Sequence, residues 1–253
     1  MDYLQSIVLG LIQGLTEWLP ISSSGHLVLA QRLMNLTVPV GFDVMLHIGT
    51  LLSVVIFFWR DIKKILVSVF NRDVRDENFK LFTYILIGSV PTAVIGFFLM
   101  KFFESLFLNI RAVGVGFLVT GLLLLLSRFW NNNKKLSWKS SLLIGTVQGV
   151  SIAPGISRSG STISTGLFSG VKKEDVFKYS FLLSIPAIIG ATIMEYGSVN
   201  MNDLCTYSAA GLVVAAFVGY FAIKAVKKIL ISDKFYWFAA YCFVLGAVVL
   251  AVL

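Results

Sequence analysis

Apolar residues run along this chain in long continuous stretches, not in alternation. Leu81–Met100, Tyr207–Ile223 and Phe235–Leu253 are the clearest. Each approaches or reaches the roughly 20 residues that a helix needs to cross a bilayer. A membrane barrel would alternate apolar and polar positions, so the pattern predicts an all-α integral membrane bundle. Between the apolar runs, lysine and arginine collect in four places. Arg60–Lys80, Arg128–Lys139, Lys172–Lys178 and Lys224–Lys234 hold 17 of the 21 basic residues. Placing all four in the cytoplasm, as the positive-inside rule asks, nearly forces the order of crossings. Six transmembrane helices result, over 42–59, 81–100, 112–127, 179–196, 206–223 and 235–253. The turn near Lys101–Arg111 then lies outside.

Two segments remain. Residues 140–171 are bracketed by cytoplasmic clusters yet hold the polar centre IAPGISRSGST, where Pro154 and Gly155 interrupt any straight helix. Residues 1–40 show the same design around EWLPISSSGH. Both read as re-entrant helix–loop–helix segments, the first on the outer side and the second on the cytoplasmic side. Their centres align without gaps: QGLTEWLPISSSG (13–25) and QGVSIAPGISRSG (148–160) share six of 13 residues at an offset of 135. Each half of the chain is then one re-entrant pair followed by three crossings, in opposite orientations. This predicts an inverted-topology repeat within a single membrane domain, 1–253, with halves 1–127 and 135–253. A shared helix-packing motif of small residues is the alternative source of the match.

Composition agrees. The chain is 57% hydrophobic and 13% charged, with mean hydropathy +0.86, whereas a soluble domain carries about a quarter charged residues. The net charge of +8 would suit a nucleic-acid partner, but its confinement to cytoplasmic loops explains it without one. The N-terminus has Asp2, no basic stretch and no small-residue cleavage site, so no cleavable signal peptide is expected. Cys205 and Cys242 form no disulfide or metal pattern and are expected to pack as small apolar residues.

Irregular backbone at membrane depth survives only where it is buried in protein or lines a cavity. Each polar loop leads into a new helix, near Ser23–His26 and Ser159–Thr162, and helix N-termini offer free N–H groups and partial positive charge. Gly25 and Gly160 would let a ligand approach the backbone. Two such ends meeting make a phosphate cradle. Arg158 is the one basic residue within the expected membrane core, and its planar fork suits phosphate oxygens. Glu17 is the matching acid, with Gln13 one turn earlier. It can hold a divalent cation that bridges to phosphate, orient His26, or neutralise Arg158, and these roles are compatible. His26, after the run Ser22–Ser23–Ser24, fits acid–base work on a phosphoester. His47 and Asp43, four residues apart, read as structural or as support for the site. Glu195 and Asp203 read as solvated near an outer turn. Trp59, Trp130 and Trp237 read as interface anchors.

At this point the motifs are recognisable. Gln13 with EWLPISSSGH, and PGISRSGST, resemble the two signature motifs of the undecaprenyl-diphosphatase family, which is linked to bacitracin resistance. The resemblance covers essentially the whole chain, including FDVMLHIGT and FFWRDI. It implies removal of the terminal phosphate of undecaprenyl diphosphate, which regenerates the lipid carrier for cell-envelope synthesis. It implies a bacterial cytoplasmic-membrane enzyme whose site opens to the outer face and uses Mg²⁺ or Ca²⁺. By motif match, Gln13 and Glu17 form the family's acidic element, with Gln13 removing one of two carboxylates a metal role would use. Ser23 and His26 fall in the nucleophile and acid–base region. Ser157, Arg158 and Thr162 fall in the phosphate-binding motif, beside Ser22, Ser24, Gly25, Ser159 and Gly160. Homodimerisation is implied only by the resemblance.

The expected chemistry is attack by Ser23 on the terminal phosphorus with His26 assisting, or direct attack by water with His26 as base. The sequence leaves both open. Transport of a lipid phosphate through the same anion site is the rival function, because inverted repeats with broken helices are a transporter architecture. In the alignment Glu17 faces Ile152, Ser23 faces Arg158 and His26 faces Ser161. The first loop therefore holds the candidate chemistry and the second the phosphate clamp.

Overall fold

A computed structural model describes residues 1–130, 133–196 and 206–252. Among them no strand forms beyond one isolated bridge between Lys134 and Val171. Helices α1 (Tyr3–Trp18) and α2 (Ser23–Leu33) form a first pair, and α8 (Trp138–Val150) and α9 (Arg158–Phe168) form a second. Among the described residues six helices are long and apolar enough to cross a membrane: α3 (Val40–Phe57), α5 (Glu77–Phe98), α7 (Ile110–Ser127), α10 (Lys173–Tyr196), α11 (Thr206–Ile231) and α12 (Phe238–Val252) taken with the short turn Phe235–Trp237 before it. The chain is an all-α, multi-pass membrane protein, with all six expected crossings present.

Two details depart from the charge reading. The stretch after Phe58 is not loop but α4 (Trp59–Phe70), and the turn near Lys101–Arg111 contains α6 (Met100–Phe107). Helix α4 buries Ile65 and Ser68 while Leu66, Val67 and Phe70 are exposed beside Lys63 and Lys64. A helix with exposed apolar and basic residues is suited to lie along a membrane surface. Lys178 of α10 donates to Asp61 of α4 at 2.6 Å and fixes its direction. Second, α11 runs on to Ile231, so Lys224, Lys227 and Lys228 lie on helix and not in a loop.

The two shorter first helices are inside-out. In α1, Ser6, Gly10, Gln13, Gly14, Thr16 and Glu17 are buried with Leu9, while Leu4, Ile7, Leu11 and Leu15 are exposed. In α8, Ser140, Ser141, Gly145, Gln148 and Gly149 are buried, while Leu142, Leu143 and Val150 are exposed. Lipid tails are as apolar as leucine, so membrane helices associate through small residues and polar contacts. Here α1 packs along α11, and α8 along α5. A Cβ on Gly10 would lie 2.6 Å from the Gly211 carbonyl oxygen, and one on Gly145 would overlap the Gly88 carbonyl. Gly10 and Gly145 stand at the same 135-residue offset as the loops, and α5 and α11 are each the second of the three long helices that follow a pair. Cys242 is buried and packs as a small apolar residue, its thiol 3.8 Å from the Pro20 carbonyl. Cys205 and Asp203 lie outside the described residues. Trp59, Trp130 and Trp237 are exposed, as anchors would be.

Candidate active site

The two loops are built alike. Ser22 caps α2, its Oγ accepting from Gly25 N at 3.3 Å and lying 3.2 Å from Ser24 Oγ. Ser157 caps α9, its Oγ accepting from Gly160 N at 3.1 Å and lying 3.3 Å from Ser159 Oγ. An N-cap hydroxyl satisfies one of the orphan donors at a helix start, which is why both helices begin here. The loops also touch. Ser159 Oγ donates to the Leu19 carbonyl at 3.2 Å. A Cβ on Gly25 would lie 2.6 Å from the Phe117 ring and 3.1 Å from Gly155 Cα. Gly25 and Gly160, expected to admit a ligand, instead admit neighbouring protein: Phe117 and Gly155 at Gly25, and Ser157 and Pro20 at Gly160. From α7, Thr120 pins the second loop, donating to the Gly155 carbonyl at 2.9 Å and accepting from Ser157 N at 2.9 Å.

The charged groups meet where the loops do. Arg158 Nη2 donates to Glu17 Oε1 at 2.5 Å, across 141 residues of sequence. Ser23 Oγ donates to Glu17 Oε2 at 2.5 Å, and Gln13 Nε2 donates to the same oxygen at 3.3 Å. The guanidinium lies 5.0 Å over the Trp18 ring, which itself donates to Ser53 of α3 at 2.9 Å. Glu17 is 8% exposed and Arg158 15%, so the pair is shielded from bulk water, where an exposed pair would contribute little.

The buried polar atoms without a protein partner include Arg158 Nη1, a donor, Gln13 Oε1, an acceptor, and Ser161 Oγ on the first turn of α9. Buried polar atoms are normally paired, so each of these keeps a hydrogen-bonding position free. Ser23, Ser24 and His26 are partly exposed. By contrast, Ser22, Ser157, Ser159 and Thr162 use their hydroxyls within the protein. Thr162 Oγ1 donates to the Arg158 carbonyl at 2.8 Å and lies 2.6 Å from Ser180 Oγ of α10. The expected binders thus divide into a partly exposed set and a buried set that shapes the loops.

The structure puts Ser23 on Glu17 and not on His26. His26 Nδ1 lies 2.7 Å from the Ser22 carbonyl, and Nε2 lies 2.7 Å from Tyr241 Oη of α12. Asp43 accepts from Gln31 at 3.2 Å, and its carbonyl accepts from His47 Nδ1 at 2.9 Å. His47 lies within electrostatic reach of Glu17, Asp43 and the exposed Glu195. Sequence reasoning missed Tyr241 and Trp18. Their signal was a tyrosine hydroxyl inside the apolar run 235–253 and a tryptophan beside the acidic residue.

Among the described residues no three of His, Cys, Asp and Glu cluster as a metal cage. A hard cation prefers oxygen, and Mg²⁺ is often held by one or two carboxylates plus substrate phosphates. Glu17 and the unpaired Gln13 Oε1 fit that smaller protein share.

The family described as "Bacitracin resistance protein BacA" matches residues 6–248. The chain belongs to the BacA family. Relatives named undecaprenyl-diphosphatase match it nearly end to end. The one from Desulfosudis oleivorans is 44% identical over 99% of this chain and 98% of its own. That from Desulforapulum autotrophicum is 41% identical over 98% and 97%, and that from Korarchaeum cryptofilum 39% over the whole of both.

Proposed function

We propose that this BacA-family protein is an undecaprenyl-diphosphatase, a membrane hydrolase that releases phosphate from undecaprenyl diphosphate and leaves the monophosphate carrier. Membership over the full chain and relatives of that name support the activity. The observation that carries the reading of the site is the shared carboxylate: Glu17 holds a serine hydroxyl and an arginine at once, with Arg158 Nη1 still open.

In this reading the terminal phosphate accepts from Arg158 Nη1 and draws the guanidinium off Glu17. A planar fork can take two phosphate oxygens. Glu17 then takes the Ser23 proton as Ser23 Oγ forms the bond to the terminal phosphorus. The bond to the bridging oxygen breaks and the lipid monophosphate leaves. Water next attacks the phosphoserine, releasing phosphate and restoring the serine. Arg158 stabilises the charge of the transferring group. Ser24 and the α2 and α9 N-termini bind, while Ser22, Ser157, Ser159, Gly160, Gly25 and Thr162 hold the two loops in register. Glu17 and Gln13 Oε1 would hold a divalent cation, Mg²⁺ or Ca²⁺, which supplies charge neutralisation of the diphosphate.

We place the site in the cytoplasmic membrane, open to the outer face, on the basic clusters of 60–80, 128–139, 172–178 and 224–234. The halves 1–127 and 135–253 are read as inverted repeats of one membrane domain, supported by the matched glycine packing of α1 and α8. A homodimer remains part of this proposal on family grounds alone.

The test is phosphate release from undecaprenyl diphosphate by detergent-solubilised protein, where no transport is possible. Tight binding without release would favour a lipid-phosphate transporter. A phosphoserine trapped in the wild type and absent in Ser23→Ala supports the covalent route, and full activity of Ser23→Ala overturns it. Chelation should lower turnover and added Mg²⁺ or Ca²⁺ restore it.

A further inference from the structure

His26 has one working nitrogen. Its Nδ1 lies 2.7 Å from the Ser22 carbonyl, and a carbonyl only accepts. Nδ1 therefore carries a hydrogen in both the neutral and the charged ring. Any proton His26 gains or loses must pass through Nε2, and Tyr241 Oη stands 2.7 Å from that atom. The two rings are parallel to within 6° with centroids 5.7 Å apart. Phe117 of α7 packs edge-on at 5.3 Å. The imidazole is thus fixed by its own helix, by α7 and by α12, and cannot turn Nε2 elsewhere without breaking all three contacts. Tyr241 is partly exposed, and its hydroxyl is the group that meets Nε2.

A phenol hydroxyl both donates and accepts. It donates to a neutral Nε2 and accepts from a protonated one, so the pair suits both states of the ring without rearrangement. Ser23 has a separate partner in Glu17. The site therefore contains two proton-handling pairs, Ser23–Glu17 and Tyr241–His26.

We propose that Tyr241 is the positioning and relay residue through which His26 exchanges protons with the water that hydrolysis consumes. This rests on the phosphatase reading above. As that water attacks the phosphorylated serine, its proton passes to Tyr241 Oη while the Tyr241 hydroxyl proton passes to His26 Nε2. One proton moves from water to imidazole, Tyr241 ends unchanged, and the reverse transfer resets the pair.

The test is Tyr241→Phe, which keeps the ring and removes the hydroxyl. Turnover should fall about a hundredfold with KM little changed, the size general acid–base catalysis supplies. In a single-turnover experiment phosphoserine should form at the wild-type rate and decay slowly. In the His26→Asn background the same change should have little further effect. The chain has only two histidines, so nitrogen-15 spectra of histidine-labelled protein resolve both rings. They should show His26 protonated at Nδ1 in both proteins, with the Nε2 signal moving toward that of a free lone pair in Tyr241→Phe. Such a spectrum also establishes that the variant is folded. Wild-type turnover in a folded Tyr241→Phe, or full additivity with His26→Asn, would overturn the relay. Full activity in Ser23→Ala and Glu17→Gln would instead remove the reading on which it rests.

Discussion

The loops 19–26 and 154–161 share a frame and differ in what they carry. Both cap a new helix with a serine, both set a second hydroxyl two residues on, and both follow an inside-out helix. The differences that bear on the site are three side chains, one of them on the preceding helix, and one backbone angle. Glu17, Ser23 and His26 of the first face Ile152, Arg158 and Ser161 of the second. The second loop places its left-handed residue at Gly155, φ +86°, where no Cβ is present to clash. The first places it at Ser22, φ +68°, where a side chain adds strain. A repeated scaffold thus became one site by dividing the work: a strained loop for chemistry and a relaxed one for charge.

The sharpest way to break that division is kinetic. Ser23→Ala and Glu17→Gln should each lower kcat about a thousandfold, while Arg158→Ala should lower kcat similarly and also raise KM. Equal effects on KM from both loops would abolish the distinction. Next in size is Gly155→Ala. It meets the Val113 carbonyl at a φ that alanine avoids, and should cost about 2–4 kcal/mol, read by thermal unfolding in detergent. Arg158→Lys keeps the charge but loses the fork, and a loss of about tenfold in kcat/KM is expected from one charge-assisted hydrogen bond. The smallest effect is one of sign. Glycine at an N-cap costs a few tenths of a kcal/mol, while relief of a left-handed residue returns about 1 kcal/mol. Ser22→Gly should therefore slightly raise the unfolding temperature and Ser157→Gly slightly lower it.

The crossings were legible because their apolar runs are long, and the loops because their polar centres match. Arg158 and Glu17 could be paired as the only opposite charges in those centres. What the sequence hid was which donor meets which acceptor. Ser23 and His26 lie three residues apart, and adjacency suggested a partnership. On α2, however, the Ser22 carbonyl holds the imidazole and turns Nε2 toward α12. Tyr241 joins the site from 215 residues away, and its hydroxyl sits in a run whose average reads as lipid-facing. The glycines were legible as close approaches, yet only coordinates show that the approaching atoms belong to Phe117 and Gly155.

The seating of α1 against α11 has a consequence for synthesis. Gly10 and Gly14 emerge from the ribosome about 200 residues before Gly211 and Ala215, whose backbones they touch. At roughly 5–20 residues per second, that interval is about 10–40 s. Throughout it, the glycine face of α1 lacks its final neighbour, and a chain stopped before α11 never supplies one. The nascent protein must therefore keep its first helix waiting in or beside the bilayer. Assembly ends with a clasp that joins the earliest residues made to nearly the last.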